Sequence, residues 1–116
     1  MSDVTLRLSA EAPENSDRWT VFAYNQRVYK SWKRMMQRIP DSLERCLEDL
    51  CTQPMQRYLK RSFPLKGTAY KGAWEYKVSG GDRVYYVLNL ETRQVIVYYA
   101  NEHPNPPSPK PPKELL

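Results

Sequence analysis

No stretch of this chain approaches the roughly 20 consecutive apolar residues that a helix needs to cross a bilayer. The N-terminus lacks the cationic start and apolar run of a secretory signal. Both absences lead us to expect a soluble, cytoplasmic protein with no membrane partner. Cysteine occurs only twice, at Cys46 and Cys51. Five positions apart in a segment with helical pattern, the two suit neither a zinc knuckle nor a Cys-x-x-Cys redox pair. They read as part-buried thiols in a reducing compartment. Histidine occurs once, at His103, and acidic residues are missing altogether from positions 27–39.

What is present bounds the rest. The 116 residues leave room for a single domain. Apolar residues at 41% and aromatics at 12% are enough for a compact core. The formal charge of +5 is unevenly spread: residues 1–18 carry two basic and four acidic groups, and residues 19–103 carry fourteen and eight. A small cationic domain is drawn to polyanions, of which nucleic acid is the commonest.

Residues 1–18, rich in Ser, Glu, Asp and Asn, read as a flexible arm. Residues 104–116 hold six prolines. Such a tail cannot form a helix or join a sheet interior and favours an extended, solvated form. It reads as a spacer in preference to a docking peptide. Between the two lies the folded part, residues 19–103. Trp19 to Ala23 is short, aromatic and β-branched, the pattern of a strand. Asn25 opens a helix through Ile39, with Val28, Trp32, Met35, Met36 and Ile39 on one arc. Arg27, Lys30, Lys33, Arg34 and Arg38 form a cationic stripe on the other. Pro40 ends this helix, and Asp41 with Glu44 suggests a capping box for a second. Its apolar face is Leu43, Leu47, Leu50 and Cys51, with Cys46 at the edge, and it stops at Gln53-Pro54. Strands follow at 73–79, 83–90 and 94–100, the first two joined by a tight turn at Gly80-Gly81. The run Val95 to Tyr99 is apolar on both faces, as in a central strand. The expected fold class is therefore α+β, ordered β-α-α-β-β-β, with a helical hairpin packed on a small, mainly antiparallel sheet.

Residues 65–86 read L-K-G-T-A-Y-K-G-A-W-E-Y-K-V-S-G-G-D-R-V-Y-Y. This segment resembles the RelE/ParE superfamily of bacterial type II toxins. That family shows a Lys-hydrophobic-x-Gly stretch, a strand of type W-x-Y-[RK]-V, a short turn, and an Arg opening a strand that ends in Tyr. Lys66-Gly67, Trp74, Tyr76-Lys77-Val78, Arg83 and Tyr86 fall at these places, and the element order agrees over residues 19–104. The resemblance implies a toxin held inactive by a cognate antitoxin. RelE-type members enter the ribosome and cut mRNA without metal or cofactor, whereas ParE relatives inhibit DNA gyrase. Members with diverged side chains leave a third possibility, a catalytically inactive binding or regulatory module.

Metal-free RNA cleavage requires a base for the ribose 2′-hydroxyl, an acid for the leaving 5′-oxygen and fixed cations for the phosphorane. Lys77 and Arg83 stand where the family has cleft-lining cations, and the planar fork of Arg83 suits a phosphate. Glu75, two residues from Lys77 and so on the same strand face, replaces a lysine found at about this place in RelE itself. Two roles are open to it, substitute base or salt-bridge partner. His103, just past the last strand, exchanges a proton near neutral pH and is the candidate general acid. Glu102 is the alternative occupant of that place, and the bland reading of His103 is a solvated loop histidine. Of Tyr85, Tyr86, Tyr98 and Tyr99, strict alternation sends one of each pair to each face, with Tyr86 in the core. Trp19, Trp32 and Trp74 read as packing. The helical stripe, together with Arg57, Lys60, Arg61, Lys66 and Lys71, would hold the phosphate backbone of ribosomal RNA.

Overall fold

The computed structural model describes residues 6–55 and 61–115. Its order is β1 (Thr20–Ala23), α1 (Gln26–Arg38), α2 (Pro40–Thr52), β2 (Ser62–Pro64), β3 (Ala73–Lys77), β4 (Asp82–Asn89) and β5 (Gln94–Glu102), with short 3₁₀ turns at Thr68–Tyr70 and Lys113–Leu115. The five strands form one sheet in the order β1-β5-β4-β3-β2. β1 runs parallel to β5 and all other neighbours are antiparallel. The helical hairpin lies on one face, which gives the α+β architecture. β2 is an addition to the expected order. Three residues ending in a proline carry too little pattern to read as a strand, and Pro64 is tolerated because β2 lies at the sheet edge.

The side chain of Asn25 caps α1 by accepting from the Val28 amide at 3.0 Å. Val28, Trp32 and Met35 are buried, with Met36 and Ile39 packed against the same core. The start of α2 differs from expectation. Pro40 occupies its first turn and Ile39 is the N-cap, without a side-chain capping bond. Proline at the first helical position costs no hydrogen bond, so the helix begins one residue before Asp41. Asp41 instead places a negative charge in the first turn. Along α2, Cys46 is central and fully buried, and Leu47 is the half-buried edge. Both thiols are free.

The helix-side core joins Trp32, Met35, Leu43, Cys46 and Leu50 to Val21, Tyr76, Val84, Tyr86, Val95 and Val97 of the sheet. The Tyr86 hydroxyl, buried there, donates to the Pro54 carbonyl at 2.7 Å. On the other face a smaller cluster forms around Ala73, Tyr85, Val87 and Tyr98. The expected alternation holds at Tyr85 and Tyr86 and fails in β5. There Tyr85 pairs with Tyr99 but Tyr86 pairs with Val97, so Tyr98 is an extra, bulged residue. The bulge resets the alternation and places both Tyr98 and Tyr99 on the face away from the helices.

Both ends of the chain are tied to this frame. Residues 6–9 lie along β1, with Leu8 N donating to Val21 O at 2.7 Å and Ala23 N to Leu6 O at 2.8 Å. The proline-rich tail crosses the face opposite the helices. Proline removes backbone donors but leaves every acceptor, and the tail is held through those acceptors. Tyr70 donates to Ser108 O at 2.9 Å and Tyr98 to Pro109 O at 3.0 Å. The Tyr24 hydroxyl bonds the Glu114 carboxylate, and Leu115 packs against the smaller cluster.

Two expectations test the frame. Trp32→Ala opens a large cavity and should cost roughly 3–5 kcal/mol, read from urea denaturation. Asp82 accepts from Arg38 at 2.6 Å and from the Ser79 hydroxyl at 2.7 Å. The Arg38 bond, aided by Ser79 and opposed by burial, holds its carboxyl below the ordinary value of 3.8. A lowered carboxyl stabilises the fold above its unfolded value, and that stability disappears as pH falls through the folded value. Stability should therefore drop below about pH 4, and Asp82→Asn should flatten that limb of the curve.

Candidate active site on the face away from the helices

β3 and β4 pair with Glu75 opposite Tyr85 and Lys77 opposite Arg83. Tyr76, Val84 and Tyr86 point to the helices, so Glu75, Lys77, Arg83 and Tyr85 share the other face. Glu75 and Arg83 form an ion pair, with Arg83 Nε donating to Glu75 Oε2 at 3.1 Å. Both are almost sealed, at 7% and 8% exposure. Arg83 Nη1 also donates to Ser79 O at 2.8 Å and Asp82 O at 3.0 Å. Nη2 takes part in none of these bonds. Lys77 is exposed, and its Nζ lies 5.6 Å from the centroid of the Phe63 ring, a cation–π contact.

His103 follows β5 directly. Its backbone N–H donates to Gly81 O at 2.8 Å, which sets it beside the β3–β4 turn that opens into Arg83. Its ring Nδ1 lies 2.8 Å from Pro104 O. A carbonyl only accepts, so Nδ1 carries the proton and Nε2 of the neutral ring is an acceptor. Glu102 is exposed and its carbonyl receives the Tyr99 hydroxyl at 2.5 Å. Tyr85, a buried ring set edge-on to Tyr99, reaches Ser108 Oγ at 3.4 Å. Burial raises its hydroxyl pKa and raises that of Tyr98 further, so both remain neutral donors.

The residues named for RNA contact divide. Arg27, Lys30 and Arg34 are exposed on α1. Arg38 is paired with Asp82, and Arg61 lies 3.6 Å from Asp49. Lys66 and Lys71 are exposed beside the 3₁₀ turn, and Arg57 and Lys60 lie outside the described residues. A groove of about 410 Å³ runs between α1 and the tail, lined in part by Arg27, Arg34, Tyr98, Tyr99, Asn101 and Lys110. Lys110 and Ser108 were hidden from sequence reasoning because the tail reads as solvent-exposed; only the tyrosine-rich strands hinted at donors seeking acceptors. Among the described residues no three His, Cys, Asp or Glu side chains gather in a way that could hold a metal ion. No described helix is long and apolar enough to span a membrane.

No family model matches the chain, and no curated protein matches it by sequence. Solved structures do match in shape. A YoeB–YefM complex from Staphylococcus aureus superposes with a TM-score of 0.58 at 11% identity, covering 74% of this chain and 98% of that one. A YoeB/ParE toxin from Agrobacterium tumefaciens gives 0.57 at 19% identity, covering 72% and 96%. This is the YoeB/ParE toxin fold. A second, heterotetrameric YoeB–YefM toxin–antitoxin structure from S. aureus agrees at 0.54. The match spans nearly all of each of those chains, and about a quarter of this chain lies outside it.

The ion pair supplies a direct test of the site's construction. Removing one partner of a sealed pair strands the other charge. Glu75→Ala should cost roughly 3–5 kcal/mol by chemical denaturation, whereas an exposed pair would cost less than about 1 kcal/mol.

Proposed function

We propose that this chain is the toxin of a type II toxin–antitoxin pair and acts as a ribosome-dependent mRNA endonuclease. The observation that carries the reading is the cross-strand pairing of Lys77 with Arg83, with Glu75 bonded to Arg83, on the face of a YoeB/ParE fold away from the helices. In this reading Glu75 withdraws the proton of a ribose 2′-hydroxyl, whose oxygen attacks the adjacent phosphorus. Lys77 and Arg83 Nη2 stabilise the charge that builds on the phosphorane oxygens. His103, in its protonated form, gives a proton to the departing 5′-oxygen. The products are a 2′,3′-cyclic phosphate and a 5′-hydroxyl. Arg27, Lys30 and Arg34 on α1, with Lys66 and Lys71, hold the backbone of ribosomal RNA. The partner is a cognate antitoxin, as the S. aureus toxin–antitoxin structures suggest by their composition.

A second reading has its own support. Glu75 and Arg83 neutralise each other and are nearly sealed, as in a binding module that retains the fold without the reaction. The two separate in one assay. Purified full-length protein is incubated with ribosomes stalled on a defined mRNA, and new 5′ ends are mapped. Cleavage by wild type should fall about 10²–10³-fold in Lys77→Ala, which removes an exposed cation without disturbing the core. His103→Gln should lose about 10²–10⁴-fold. Absence of cleavage at any protein concentration would overturn the nuclease reading.

A further inference from the structure

We propose that residues 104–115 form a built-in cover over the candidate active face, a strap that must lift before RNA can lie there. The inference rests on the RNA-binding reading above and adds its regulation. The strap lies against Tyr70, Tyr85 and Tyr98, on the face of the sheet that also carries Glu75, Lys77 and Arg83. Ser108 meets Tyr70 through its carbonyl and Tyr85 through its hydroxyl, and Tyr85 is the cross-strand partner of Glu75. Pro111 is buried, Pro109 receives the Tyr98 hydroxyl, and Leu115 completes the apolar cluster beneath. Glu75 and Arg83, at 7% and 8% exposure, are closed to a polymer backbone, and the side chain that the strap holds through Ser108, Tyr85, lies directly across from Glu75.

The hold is of a kind that releases. Six prolines deprive the tail of the donors needed to join the sheet as a strand. Its polar attachment is through tyrosine hydroxyls to the carbonyls of Ser108 and Pro109, the Ser108 hydroxyl and the Glu114 carboxylate, and water substitutes for the neutral partners at little net cost. The similar toxin structures are covered over 96–98% of their own length, while about a quarter of this chain has no counterpart in them. The arm of residues 1–18 and the tail of residues 104–116 are together about that long. Along the strap's edge, Arg27, Arg34 and Lys110 line the groove described above, which gives an arriving phosphodiester chain a cationic landing beside the cover.

The test uses the full chain. Pro111→Ser with Leu115→Ser loosens the strap at its two apolar anchors, adds no charge beside the cationic groove and touches none of the proposed catalytic residues. Binding of a fluorescent, uncleavable 2′-O-methyl single-stranded RNA is read by anisotropy at low salt, beside the ribosome cleavage assay. The loosened protein should bind about tenfold more tightly, the factor that matches release of one or two neutral hydrogen bonds. Equal or weaker binding, including none by either protein, would overturn the proposal. Wild type supplies a second reading should the double variant fail to fold. Saturating RNA should increase deuterium uptake in the peptide spanning 101–116, and unchanged or decreased uptake refutes a displaced strap. Binding is measured without cleavage, so the two ideas fail separately. A protein that never cuts RNA yet gains affinity when loosened loses the nuclease reading alone, and one that cuts at the same rate with either strap loses the cover alone.

Discussion

The register of β3 against β4 governs this molecule. Side chains alternate along a strand, so a slip of one residue would turn every one of them to the other face. With Lys77 opposite Arg83, the rings of Tyr76 and Tyr86 enter the helix-side core while Glu75, Lys77, Arg83 and Tyr85 stand together outside it. The turn at Ser79–Gly81 sets that register, and Asp82 secures it by accepting from both Ser79 and Arg38. Core packing and site assembly are therefore one event, since no arrangement preserves the burial of Tyr86 and disperses the charged face. The Arg38 contact extends the coupling to α1, fastening the end of the helix to the hairpin that carries the candidate chemistry.

The buried Glu75–Arg83 pair imposes a second condition. Two charges withdrawn from water gain less from each other than hydrophobic residues of equal volume would gain from packing. A fold selected for stability alone has little reason to keep them. Their presence makes physical sense where a guanidinium must be held in one orientation, and Arg83 is so held by Glu75 and by the carbonyls of Ser79 and Asp82. A cation clamped on these sides needs no reorganisation when charge develops beside it.

Much of this was legible in the residues. The 3.6-residue spacing from Val28 to Met35 and the Asn25 cap delimit α1, and Gly80-Gly81 between two alternating runs marks the hairpin that brings Lys77 to Arg83. Of the two roles open to Glu75, the ion pair with Arg83 is present in the structure. Other features were hidden for definable reasons. The bulge at Tyr98 depends on pairing with β4, to which the local sequence Val-Tyr-Tyr gives no clue. The start of α2 was displaced because Pro40 stops one helix and opens the next. The tail's course was illegible because its partners, Tyr24, Tyr70 and Tyr98, are distant in the chain and its prolines supply no pattern of their own.

The margins of the sheet limit how a second chain can approach. On one side residues 6–9 already occupy the hydrogen-bonding row of β1. On the other, β2 is three residues long and ends in Pro64, which has no amide proton to offer. Among the described residues neither border offers a long ladder to an incoming strand, which leaves the helices and the face crossed by the tail as the broad surfaces of the molecule.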